Sequence, residues 1–176
     1  VAERAEQNIP PLPLDADQTS ELIELLKKDH QESDFLLDLL KERVPAGVDQ
    51  AAYVKAAFLA DITTGKASSP YITKIDAVKI LGTMLGGYNI QPLIECLKDN
   101  ELAEAAAHVL SRTLLIFDAF NEIFELSKTN EHAKKVVEEW ANATWFTEKT
   151  DIEEQIKLTV FKAVSYTHLR AHETDR

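Results

Sequence analysis

The chain has 176 residues and carries 30 Asp and Glu against 19 Lys and Arg, for a formal net charge of −11. That balance argues against a nucleic-acid or anionic-membrane surface, because phosphate binding draws on clustered cations. Hydrophobic residues make up 45% and charged residues 28%, as in one ordinary globular domain rather than a disordered chain. The single cysteine, Cys96, excludes an internal disulfide and a thiolate-ligated cluster built from this chain alone, and it fits a reducing, cytoplasmic setting.

Val1 to Gln7 mixes charges of both signs without an apolar stretch, so it is not a secretory signal; the absence of an initiator Met places the expected true N-terminus upstream. Prolines at 10, 11 and 13 remove backbone donors and make this opening a non-helical arm. A first helix is expected from Asp17 as N-cap, with Leu22, Ile23, Leu25 and Leu26 at helical spacing, and a second from near Ser33 with Phe35, Leu36, Leu39 and Leu40. Pro45-Ala46-Gly47 stops it. Asp49 caps a third helix whose inner face is expected at Tyr53, Val54, Ala57, Phe58 and Ile62, with Gly65 as its left-handed stop.

Thr73 and Asp76 form a near capping box for a fourth helix with Val78, Ile80, Leu81, Met84 and Leu85, expected to end at Gly86-Gly87. Asn89 opens a short fifth helix with Leu93, Ile94 and Leu97, and a sixth starts near Asn100 with Leu102, Ala106, Val109 and Leu110. A seventh is expected from Thr113 to Ser127 with Leu115, Ile116, Phe120 and Phe124, and an eighth from Asn130 to Ala143 with Ala133, Val136, Val137 and Trp140. Short connections make neighbouring helices antiparallel, and pair starts recur at roughly 30–40 residues, which admits either a HEAT- or TPR-like solenoid or an irregular bundle. After Trp145-Phe146 the pattern changes to period two at Ile156, Leu158 and Val160, a strand that needs a sheet from a further domain. The longest apolar runs, such as residues 113–117, fall far short of the roughly 20 residues that span a bilayer.

The residues themselves offer no catalytic, cofactor or metal site. Gly82, Gly86 and Gly87 follow no strand and precede no phosphate-binding Lys, so they read as turn glycines rather than a phosphate cradle. His30, His108 and His132 are isolated, lacking the second His three to five residues away that makes a helical metal pair. Cys96 lies in the apolar stripe of Leu93, Ile94 and Leu97 and is expected to be a buried, inert thiol. Glu21 with Glu24, and Glu138 with Glu139, sit on mixed-charge helices and read as solvated faces; Trp140, Trp145 and Phe146 read as core or as an anchor for a neighbouring domain.

Several long blocks carry a resemblance. Residues 35–59 (FLLDLLKERVPAGVDQAAYVKAAFL) and 81–94 (LGTMLGGYNIQPLI) closely resemble the N-terminal region of the bacterial aconitase B family, and 12–18 (LPLDADQ), 114–118 (LLIFD), 140–146 (WANATWF) and 158–162 (LTVFK) continue it. The resemblance implies a HEAT-like helical domain placed ahead of a swivelling domain and a cluster-bearing core. The parent it implies is a lyase that interconverts citrate and isocitrate through cis-aconitate on a [4Fe-4S] cluster and also hydrates 2-methyl-cis-aconitate. The family's cluster cysteines and substrate-binding residues lie beyond this chain, so the resemblance assigns no catalytic residue here. For this domain it implies protein contacts, dimerisation and shaping of active-site access, with RNA binding confined to the full-length enzyme after cluster loss.

The resemblance stops at Lys162. Residues 164–174 (VSYTHLRAHET) resemble one reading frame of a common sequencing-library adaptor, so His168 and His172, although spaced like a metal pair, are not taken as ligands. The expected organisation is therefore a helical domain at 1–155, the start of the next domain at 156–162 and a non-native tail at 163–176. A free-standing HEAT-like adaptor is the alternative, and the unpaired strand argues against it.

Overall fold

The computed structural model describes residues 4, 6–113, 116 and 119–143. The expected strand and the adaptor-like tail lie outside these residues. The chain divides into two compact units, Val1–Glu139 and Trp140–Arg176. The elements are α1 (Ala16–Leu26), α2 (Ser33–Asp38) continuing into a π-helical turn (Leu39–Arg43), α3 (Gln50–Thr64), α4 (Lys74–Leu81), α5 (Ile90–Cys96), α6 (Ala103–Leu110), α7 (Ala119–Leu126) and α8 (Glu131–Ala141). Among the described residues the fold is thus all-α, with the eight helices read from the sequence.

Local chemistry accounts for several of the helix starts. The Asp15 carboxylate accepts from the Gln18 N–H at 2.9 Å while the Gln18 side chain accepts from the Asp15 N–H at 3.2 Å. Asp15, not Asp17, is therefore the N-cap of α1; Asp17 falls in the first turn, where its charge faces the positive end of the helix. Asp49 caps α3 by accepting from the Ala52 N–H at 3.1 Å. Thr73 and Asp76 complete a full capping box on α4, and Gly65 closes α3 in the left-handed region at φ 75°. The α6 helix begins at Ala103, later than Asn100, after Asp99 has turned the chain through its own side chain to the Glu101 N–H at 2.8 Å.

Two elements differ from expectation because distant backbone intervenes. The second helix widens after Asp38 into the π-helical turn, in which the Val44 N–H bonds to the Leu39 carbonyl at 3.2 Å. The N-terminal arm lies against this turn: the Leu14 N–H donates to the Arg43 carbonyl at 2.8 Å, and the Arg43 guanidinium donates to the Leu12 carbonyl. The fourth helix ends at Leu81, not at Gly86-Gly87. Beyond Gly82 its bonds tighten to Thr83 N–H on Ile80 and Met84 N–H on Leu81, and the Leu85 N–H leaves the helix for the Ala46 carbonyl at 2.7 Å. The buried Asn89 amide then ties off the end, donating to the Leu81 and Met84 carbonyls at 2.9 and 3.1 Å.

The core follows from how α3 is surrounded. The most extensive helix contacts are those of α3 with α4 and with α1, and α3 also touches α5. Packed on several sides, α3 buries Ala52, Ala56 and Leu59 as well as the expected Phe58 and Ile62. Small Ala side chains let neighbouring helices approach closely, so the inner face is broader than read, while Tyr53 and Ala57 are exposed and Val54 is half-buried. Leu25, Phe35, Phe120 and Phe124 are likewise exposed although they sit at helical spacing. Contacts also run between alternate helices, α1 with α3, α3 with α5, α5 with α7 and α4 with α6.

Candidate functional site

Where α4 ends against α6, the close approach of the two helices leaves a cleft. Gly82 is required there: a Cβ at that position would meet the Val109 side chain at 2.6 Å. Beside this contact opens a cleft of about 470 Å³ lined by Lys79, Thr83, Met84, Leu85, His108, Arg112 and Thr113 in addition to Gly82 and Val109. Its floor and walls are mostly apolar. Met84 is buried, whereas Leu85, expected in the core, is 65% exposed at the lip because its N–H has been drawn to Ala46.

The charged groups among the described residues of the cleft are two cations, Lys79 and Arg112. The Arg112 guanidinium packs on His108 and donates to its imidazole. The hydroxyls of Thr83 and Thr113 donate back to the Ile80 and Val109 carbonyls at 2.7 and 3.0 Å, so their protons are already used. Among the described residues no carboxylate lines the cleft. The four Lys–carboxylate ion pairs among the described residues are all local i,i+3 pairs, at Lys27, Lys98, Lys128 and Lys134. Lys79 and Arg112 take part in none of them.

A second cation is buried elsewhere. Lys55 on α3 is 0% exposed, and its ammonium lies 3.5 Å from the Lys41 carbonyl at the end of the π-helical turn. Burial pushes its pKa down to about 8, partly opposed by the nearby Glu42 charge. A sequence reading places lysines outside by default, so nothing in the pattern distinguishes Lys55 from its exposed neighbours.

The residues singled out from sequence do not converge. Cys96 is buried at the end of α5, and burial pushes its thiol up from the usual range, with Asp99 and Glu95 acting in the same direction against a hydrogen bond to Thr63. The burial read from the apolar stripe is seen, and the raised pKa disfavours the thiolate form. His30 is engaged by backbone: its Nδ1 accepts from the Glu32 N–H at 3.2 Å, and its own N–H donates to the Tyr71 hydroxyl. Gly86 is not a phosphate cradle; a Cβ there would sit 1.9 Å from the Gly47 carbonyl oxygen, so it serves a close meeting of two loops. Among the described residues no three His, Cys, Asp or Glu gather in a metal-binding group. No helix among them is long and apolar enough to cross a membrane. The donor set does not fit an iron–sulfur cluster, which takes several thiolates where this chain has one.

Among the described residues the fold and the cleft together define an all-helical module. Residues 1–146 match the family model described as the aconitate B N-terminal domain. The chain is 53% identical over 171 residues to aconitate hydratase B of Synechocystis sp., and 53% identical over 170 residues to that of Escherichia coli. Each alignment covers 96% of this chain and 20% of the relative. Aconitate hydratase B of Helicobacter pylori is 46% identical over 164 residues, covering 92% of this chain and 19% of the relative. The chain belongs to the aconitase B N-terminal domain family. It spans about one fifth of the length of the curated relatives it matches.

Proposed function

We propose that this chain is the non-catalytic, HEAT-like N-terminal domain of an aconitate hydratase, acting in the cytoplasm through contacts with the remaining domains, dimerisation and control of access to the active site. The observation that carries the reading is the family match over residues 1–146 in a chain with a single, buried cysteine. A cluster-bearing core must draw its thiolates from elsewhere in the parent. The parent reaction in this reading is the interconversion of citrate and isocitrate through cis-aconitate on a [4Fe-4S] cluster, with hydration of 2-methyl-cis-aconitate as a second activity. The all-α packing of α1 to α7, with contacts between alternate helices, suits a scaffold that presents broad surfaces to neighbouring domains.

Expression of the 176-residue chain alongside a parent lacking this region tests the proposal. The chain by itself should give no hydration of cis-aconitate, followed as loss of its ultraviolet absorbance, and should co-elute with the separately expressed remainder. Turnover by the isolated chain would overturn the non-catalytic reading. Full activity, assembly and unchanged substrate access in the truncated parent would overturn the architectural one.

A further inference from the structure

We infer that the cleft between α4 and α6 is a binding site for a small organic carboxylate, with Arg112 and Lys79 as the anion-binding groups and Met84, Leu85 and Val109 as the surface for its apolar body. Three observations carry this. The first is sign: Lys79 and Arg112 line one cleft in a chain of net charge −11, and among the described residues no acidic side chain shares the lining. The second is availability. Neither Lys79 nor Arg112 has a carboxylate within ion-pair distance among the described residues. Asp76 feels the Lys79 charge, but its carboxylate is held by Thr73 in the capping box. The third is shape: about 470 Å³ with mainly apolar walls and few polar groups has the size and character of a small-ligand site rather than of a flat protein contact.

The roles divide by geometry. Arg112 already lies against His108, so the imidazole fixes one edge of the guanidinium while the other donors remain for a carboxylate, which a guanidinium fork receives through two parallel bonds. Lys79 supplies a mobile point charge from α4. The hydroxyls of Thr83 and Thr113, spent on helix carbonyls, offer only lone pairs, so a neutral polar ligand finds few donors and an anion finds two strong ones. Opening onto solvent beside the exposed Leu85, the cleft admits a chain of a few methylenes. This proposal does not depend on the chain's parent being an aconitate hydratase.

The test is an amide chemical-shift titration of the 176-residue chain with glutarate and with propane-1,2,3-tricarboxylate. Pentane-1,5-diol, inorganic phosphate and a short capped peptide of alternating Leu and Glu serve as comparison arms. Either carboxylate should shift residues 79–85 and 108–113 with saturation, while the diol should not. Arg112→Gln and Lys79→Gln should each weaken binding at least fivefold, Lys79→Arg should retain it, and Lys128→Gln, on a remote helix end, should leave it unchanged. No saturable response to either small carboxylate, equal binding of phosphate, or binding of the peptide alone would overturn the proposal. So would an equal loss in Lys128→Gln.

Discussion

Two glycines separate the conformational from the steric reason for having no side chain. Gly65 stands at φ 75° with nothing within 4 Å of where a Cβ would be, whereas a Cβ at Gly86 would collide with the Gly47 carbonyl. Gly65→Ala should cost about 1–2 kcal/mol, the strain of a left-handed residue. Gly86→Ala should cost more, about 3 kcal/mol, by prising apart the loops joined at Leu85 and Ala46. Urea denaturation of the pair checks the order, and equal losses would count against the close approach. Lys55 gives a prediction in pH. Its pKa is about 8 folded against an ordinary 10.5, so between these values the unfolded chain binds more protons and stability rises with pH. Below about pH 8 the cost of burying the charge is present in full. Cys96 and Tyr71, whose acids are pushed up by burial, act the other way in the alkaline range. The informative quantity is therefore the difference between wild type and Lys55→Met. That difference should move in favour of wild type by about 2–3 kcal/mol between pH 8 and 10.5, and a flat difference would show that Lys55 is solvated.

The helices differ in how far they could be read from sequence, and the division is between local and distant causes. Asp49, Thr73 with Asp76, Gly65 and the Asn130 side chain, which accepts from the Ala133 N–H at 2.9 Å, satisfy backbone groups within a few residues of themselves. Their signals lie in the sequence. The end of α4 and the π-helical turn were not legible because Ala46, Asn89 and the arm at Leu12 and Leu14 decide them from far along the chain. The same holds for the cleft: Lys79 and Arg112 are ordinary surface cations until α4 and α6 bring them to one opening. For α3, cap and core should fail by different amounts. Asp49→Ala removes one acceptor from the first turn and should cost about 1 kcal/mol, while Phe58→Ala empties a buried site and should cost about 3–5 kcal/mol. Chemical denaturation measures both, and a Phe58→Ala cost near that of Asp49→Ala would mean that the face is less well packed than described.

At the scale of the molecule, a net charge of −11 is a term the core must overcome, since like charges repel in the compact state. The exposed i,i+3 pairs at Lys27, Lys98, Lys128 and Lys134 offset little of it, because solvent screens such pairs. Raising sodium chloride from about 0.02 to 0.3 M shortens the Debye length from about 20 to about 6 Å and should raise the thermal midpoint of the chain. A fall in midpoint would mean that attractive pairs, rather than net repulsion, dominate. Fold class was legible at this scale because composition and periodicity are summed over the whole chain. Which helices meet was not, since that is set by the neighbour each apolar stripe finds.

The π-helical turn at Leu39–Arg43 amounts to one residue more than an α-helical path would use. Deleting one of these five would replace the wide turn by an ordinary α-helical one and change which carbonyls it presents to the arm and to α3. The contacts at stake are those of Arg43 with Leu12 and Leu14 and that of the Lys41 carbonyl with the Lys55 ammonium. The helix alone would tolerate the loss of that residue; the arm and the buried lysine would not. The surplus residue is thus tied to two partners distant in sequence, so shortening this stretch in a designed variant requires redesign of residues 12–14 and of position 55 in the same step.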